Sequence, residues 1–276
     1  MSDTKTPARL SELQLRILVG VALIAVASAA LVLGGVAFWL LCVVLALLMM
    51  AEWADLVGAP AQGKRLAQFA LSVPLAIMAP LLGAGPGFLA LGLLAGAAFF
   101  VVIVTRHQRL ALGVLYVGLP VLGLLLLRRQ SEGVVFTLWA LALVWACDIG
   151  AYFAGRTIGG PRIAPKISPN KTWAGLAGGV LAASLLGAAM HWHSDLGLPW
   201  RLTLATPALA VLAQAGDFYE SWLKRRAGVK DSGNILPGHG GVLDRLDGLV
   251  PVAPVAAFLA VGLPKLYHLL PASPLW

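Results

Sequence analysis

Almost every window of about 20 residues in this chain is predominantly apolar, and this continuity limits the possible folds more than any single motif does. A helix needs about 20 such residues to cross a hydrocarbon core of about 30 Å. Mean hydropathy is +0.87, with 59% hydrophobic and 12% charged residues among 276, so water is not the main solvent. Nine candidate spans can be drawn, at 17–35, 36–55, 67–84, 86–105, 109–127, 133–155, 173–190, 201–222 and 246–270. Backbone polar groups in lipid must be satisfied within each segment, and the alternation of a barrel is absent, so helices are expected. The predicted fold is all-α, a polytopic integral membrane helical bundle of about nine transmembrane helices.

The net charge of +8 does not point to nucleic acid, because the charges are distributed by membrane face. With the N-terminus inside, the cytoplasmic loops hold most of the 20 Lys and Arg, and the other face keeps Arg128, Arg129, Arg201 and Lys265. That is the bias of positive-inside insertion. It predicts a multi-pass protein of the inner (cytoplasmic) membrane. The first apolar run is expected to remain as an uncleaved span, since a second follows at once. Cys42 and Cys147 lie in apolar spans without a Cys-x-x-Cys pair and read as small core residues.

Nearly all the unusual polar chemistry lies in residues 145–175 and 214–248. The sequence therefore divides into scaffold helices at 1–133 and a site-bearing region at 134–276 within a single bundle. Glu52 and Asp55, at the end of the second span, read as interfacial charges with a structural role. Asp148, Tyr152 and Gly155 share one helical face, with Arg156 following. Asp217, Glu220, Ser221 and Lys224 do the same on the eighth span. An acid inside a span is expensive and faces a cavity, a partner or an ion. Asp148 and Asp217 should lie at similar depth, where two acids can share a cation.

Beyond the eighth span, Lys224 to Asn234 is dense in Lys, Arg and Gly. Gly238-His239-Gly240-Gly241 and Asp244-Arg245-Leu246-Asp247 follow. Glycines admit an anion to backbone N–H groups, cations neutralise it, and Asp244 or Asp247 can hold a divalent metal, with Mg2+ suiting carboxylates plus phosphates. His239 could equally cap or pack. Lys171 and Thr172, where the seventh helix begins, can hold phosphate by charge, hydroxyl and backbone N–H, although no P-loop is present. His191 and His193, on the opposite face, read as incidental.

The stretch Ser221-x-x-Lys224-Arg225, Lys230-Asp231-x-Gly233, His239-Gly240-Gly241, Asp244-Arg245-x-Asp247 resembles the signature of the phosphatidate cytidylyltransferases, or CDP-diglyceride synthases. Asp148-x-x-Ala151-Tyr152-x-x-Gly155-Arg156 and Ser168-Pro169-Asn170-Lys171-Thr172 are similar to the family as well. Asn170 and Ala174 depart from it, where a Lys and a Glu are common.

The resemblance implies that CTP and phosphatidic acid yield CDP-diacylglycerol and pyrophosphate at the cytoplasmic membrane face. It implies Mg2+, with a second cation allowed, on Asp217 and Asp244, with Asp148 and Asp247 as further candidate ligands. Lys171, Lys224, Arg225, Lys230 and Arg245 would neutralise phosphate. Ser168 and Ser221 would donate hydroxyls, and Tyr152, Asp231, His239, Gly240 and Gly241 would complete the substrate contacts. A homodimer is plausible by the same resemblance. Two other readings stay open: a CTP-dependent isoprenoid-alcohol kinase, and an ion-coupled transporter, which would spread its polar groups near the midplane.

Overall fold

A computed structural model describes residues 12–81, 83–235 and 240–262, with side chains from residue 18 onward. His239 and Lys265 lie outside the described residues. The elements are α1 (Glu12–Leu33), α2 (Gly35–Leu56), α3 (Ala61–Ile77), α4 (Phe88–Thr105), α5 (Gln108–Arg128), α6 (Gly133–Thr157), β1 (Arg162–Ala164), β2 (Ser168–Thr172), α7 (Trp173–Trp192), α8 (Trp200–Ala227), α9 (Leu243–Leu246) and α10 (Leu249–Ala257). A π turn, Phe258–Gly262, extends α10.

Among the described residues a helix occupies at least part of each of the nine expected segments, residues 263–270 of the ninth lying outside them, and five helices (α2, α4, α5, α6 and α7) are long and apolar enough to cross a membrane by themselves. The protein is a helical, multi-pass membrane protein. Its outward surface is apolar where lipid would lie: Phe99, Phe100, Ile103 and Val104 of α4 are all exposed.

Local boundaries differ from expectation for identifiable reasons. The third helix starts at Ala61, capped by Pro60, whose fixed φ favours a helix start. Its polar first turns therefore extend beyond the apolar run. The ninth begins at Leu249 after the four-residue α9. The segment read as a loop at 159–175 contains a small antiparallel hairpin pairing Arg162 with Thr172 and Ala164 with Ser168, the one departure from all-α among the described residues.

Two packings position the site. Along α7, Gly175, Gly179, Ala183 and Gly187 recur every fourth residue and are buried. Such small residues let helix backbones approach closely in lipid. A Cβ on Gly150 of α6 would lie 2.6 Å from the Gly178 carbonyl oxygen, and one on Gly179 would lie 2.7 Å from that of Cys147. Similarly, a Cβ on Gly216 of α8 would lie 2.4 Å from the Asp247 carbonyl oxygen, so α8 presses against the chain entering α10. Helix α5 is buried along most of its apolar length and contacts α2, α3, α4 and α10. Cys42 and Cys147 are buried and unbridged, as expected.

Candidate active site

The close contact of α6 and α7, with α8 beside them, leaves a cavity of about 190 Å3 lined by Asp148, Ala151, Asn170, Lys171, Thr172, Gly175, Gln214 and Asp217. The two acids expected at similar depth thus line one cavity, from positions 69 residues apart in sequence. Lys171 forms an ion pair with Asp217 and lies 4.4 Å above the Phe218 ring. Asp148 and Asp247 each feel the charge of Asp217 and of Lys171. Three carboxylates and one ammonium group therefore lie close enough to influence one another, a cluster that a bound cation would stabilise.

A second cluster stands at the end of α8. Lys224 pairs with Glu220 at 2.7 Å and with Asp244 at 2.6 Å. Oδ2 of Asp244 accepts from Ser232 N (2.9 Å), Ser232 Oγ (3.0 Å) and Gly241 N (2.8 Å). Burial by itself would raise the Asp244 pKa, but the Lys224 ammonium and these backbone donors outweigh it and hold the carboxyl at about 2.

Glu52 belongs to this cluster and was not recognisable from sequence. It is no exposed interfacial charge: at 2% exposure it accepts from Val242 N (2.8 Å) and Leu243 N (2.8 Å) and shares the single Ser232 hydroxyl proton (3.1 Å) with Asp244. A scaffold helix therefore shapes the glycine loop. Asp55, by contrast, sits at the edge, bound to Lys64 at 2.6 Å. The glycines of the loop answer to these carboxylates. Gly240 has φ 77°, and a Cβ on Gly241 would lie 2.1 Å from Ser232 Oγ and 2.7 Å from Glu52 Oε2.

The other candidates are placed as follows. Ser221 Oγ donates weakly to Asp217 at 3.4 Å, and Arg225 reaches the Ile167 carbonyl at 3.4 Å, linking α8 to the hairpin that carries half-buried Ser168. The Thr172 hydroxyl caps α7 by accepting from Gly175 N at 3.0 Å. Tyr152 is exposed, accepts from Arg156 at 2.7 Å and does not line the cavity. Lys230, Asp231 and Arg245 are exposed. Gln214 lines the cavity unanticipated, although its position three residues before Asp217 puts it on the same helical face.

Among the described residues no three His, Cys, Asp or Glu form a ligating group. Magnesium ordinarily binds through one or two carboxylates, with water and phosphate oxygens completing its shell, and the donors around Asp217 fit that pattern. Asp244 fits less well, because its oxygens are already engaged by Lys224, Ser232 and Gly241.

Comparison with known proteins identifies the family. The profile of the cytidylyltransferase family matches residues 14–262. A phosphatidate cytidylyltransferase of Brucella suis is 40% identical over 257 residues, covering 88% of this chain and 92% of its own. One from Bacillus subtilis is 41% identical over 152 residues, 54% of this chain and 56% of its own. One from Staphylococcus epidermidis is 46% identical over 133 residues, 48% and 51% respectively.

Proposed function

The chain belongs to the cytidylyltransferase family, and from that premise we propose that it is a phosphatidate cytidylyltransferase, joining CTP to phosphatidic acid to give CDP-diacylglycerol and pyrophosphate. It is a nucleotidyltransferase of phospholipid synthesis. The observation that carries this reading is the convergence of Asp148, Lys171 and Asp217 in one cavity, with Lys224 and Asp244 of the signature paired at the end of the same α8. The relatives do not favour a lipid-alcohol kinase or a transporter.

A phosphate oxygen of the lipid forms a bond to the α-phosphorus of CTP while the bond to pyrophosphate breaks. The nucleophile is already anionic, so positioning and charge neutralisation matter more than a general base. Lys171 and Asp217 neutralise each other. A phosphate that engages Lys171 therefore leaves Asp217 able to face a cation, and the cavity stays balanced. Asp217, with Asp148 or Asp247 as second carboxylate, would hold Mg2+, which would supply charge stabilisation on the triphosphate. Asp244 and Lys224 act by tying the end of α8 to α9, which presents Arg225, Lys230 and Arg245 to phosphate. Ser168 and Ser221 remain candidate hydroxyl donors, and a second cation is compatible with three nearby carboxylates.

The charge asymmetry of the loops supports an inner-membrane location with the site facing the cytoplasm, where CTP and metal arrive from water and the lipid from the bilayer plane. Residues 1–133 act as scaffold and 134–276 as catalytic region, with Glu52 reaching across. Assembly as a homodimer belongs to the same reading, and cross-linking in native membranes tests it.

The test of the activity uses CTP labelled separately at the α and γ phosphates, with phosphatidate and purified protein, with and without Mg2+. Alpha label entering lipid with pyrophosphate release is expected. Gamma label entering an added isoprenoid alcohol, or no transfer at all, would refute the proposal.

A further inference from the structure

A cavity of about 510 Å3 opens at the same end of the bundle, between the last turn of α2, the first turns of α5 and the last turns of α8. It shares no lining residue with the acidic cavity. At 100° per residue, Tyr219, Trp222 and Arg226 project from α8 nearly opposite Asp217, Ser221 and Lys224. The helix is thus a common wall between two chemically different spaces.

The wall on this side is aromatic. Tyr219 stacks on Trp222 with centroids 5.8 Å apart, Arg226 lies 5.4 Å over Trp222, and Tyr116 backs Tyr219 at 5.6 Å. Two cations face the space, Arg109 and Arg226. Both are exposed, and neither forms an ion pair among the described residues. The acid in the lining, Asp55, is already bound to Lys64, so the lining is net positive. Leu112, 56% exposed, adds an apolar surface one turn along α5 from Arg109. Positive-inside insertion accounts for the arginines but not for a cavity with a stacked aromatic side.

Cations at the helix ends, aromatic rings beside them and apolar surface next to both match the layers of a phospholipid from phosphate to upper chain. Basic pockets between membrane helices are known to hold anionic headgroups. We propose that this cavity binds a second anionic phospholipid, distinct from the reacting one, with its phosphate between Arg109 and Arg226 and its glycerol region on Trp222 and Leu112. Because Asp217 and Trp222 ride on the same helix, this lipid braces α8 from behind. The proposal rests on the placement of the chain in a membrane, not on the reaction it performs.

The test is native mass spectrometry of the full chain with phosphatidylglycerol or phosphatidylcholine added and no CTP, comparing wild type with the double variant R109Q/R226Q. Wild type should retain one phosphatidylglycerol per chain in preference to phosphatidylcholine. The double variant should retain it about 30-fold more weakly, the effect of removing two headgroup-level cations. CTP turnover at saturating substrate in neutral detergent should stay within about twofold, since both arginines lie outside the acidic cavity. Equal retention of both lipids by wild type, or unchanged retention by the variant, overturns the proposal. Loss of turnover with phosphatidylglycerol retention unchanged also overturns it, and would assign the cavity to the nucleotide. Trp222→Ala, which keeps both charges, provides the same readout should the double variant fail to fold.

Discussion

Glu52 Oε2 accepts the backbone N–H of Leu243 at 2.8 Å, 191 residues away in the chain, and so ties the second helix to the start of α9. Its other oxygen takes Val242 N at 2.8 Å. In Glu52→Gln one oxygen is replaced by an NH2 that would point at an N–H, leaving buried donors unmatched. A loss of about 2–4 kcal/mol in stability is expected, with activity reduced at least tenfold. Thermal unfolding in detergent and turnover at saturating substrates check it. Glu52→Asp, which keeps the charge, should recover part of both.

Gly216 is predicted to tolerate no side chain. A Cβ there would lie 2.4 Å from the Asp247 carbonyl oxygen and 2.7 Å from Pro251 Cγ, contacts that only a shift of α8 from α10 could relieve. Gly216→Ala should cost about 1–3 kcal/mol and separate Asp217 from Asp247. A helix-neutral outcome in which stability and turnover both match wild type would contradict the packing.

Asp217 and Asp244 should behave differently although the family resemblance implies both as metal carboxylates. Asp217→Asn should shift the Mg2+ dependence of turnover to higher concentration with little loss of stability, since Asp148 and Asp247 remain near the Lys171 ammonium that it releases. Asp244→Asn should lower stability with a smaller change in the Mg2+ midpoint, because its oxygens anchor Lys224, Ser232 and Gly241. Titrating Mg2+ into chelator-treated protein measures both. Identical midpoints for the two variants would remove the distinction.

Lys224 stands between two carboxylates, Glu220 with 0% side-chain exposure and Asp244 with 7%. Removing it as Lys224→Met leaves an uncompensated pair of buried acids, at a cost of about 3–5 kcal/mol. Adding Glu220→Gln to that variant should return part of the loss, because one of the two charges is then gone. Thermal melts of both variants decide it, and no recovery in the double variant would mean that repulsion is not the cause.

The Asp244 carboxyl, held at about 2 against about 3.9 in an unfolded chain, binds its proton less readily when folded. Its stabilising contribution is therefore complete above pH of about 4 and is lost as pH falls towards 2. The difference in melting temperature between wild type and Asp244→Asn should accordingly be flat from pH 8 to 5. A slope in that window would show that a different group titrates.

The sequence by itself determined the membrane class and the helical form of the bundle, because twenty apolar residues in lipid have few ways to satisfy their backbone. It also singled out Asp148, Lys171, Asp217 and the residues from Ser221 to Asp247, because charge in such a chain stands out against its surroundings and helical spacing orders it. Only the tertiary structure decided which of these groups meet. Asp217 pairs with Lys171, Asp244 is taken up by Lys224 and the glycine loop, and Tyr152 faces outward. Glu52 had no local signal at all, since the partners of its carboxylate lie 180 to 191 positions away. Periodicity reports which residues share one helix face, but not which helices adjoin. That depends on close approaches such as those at Gly150, Gly179 and Gly216, where missing side chains let backbones touch.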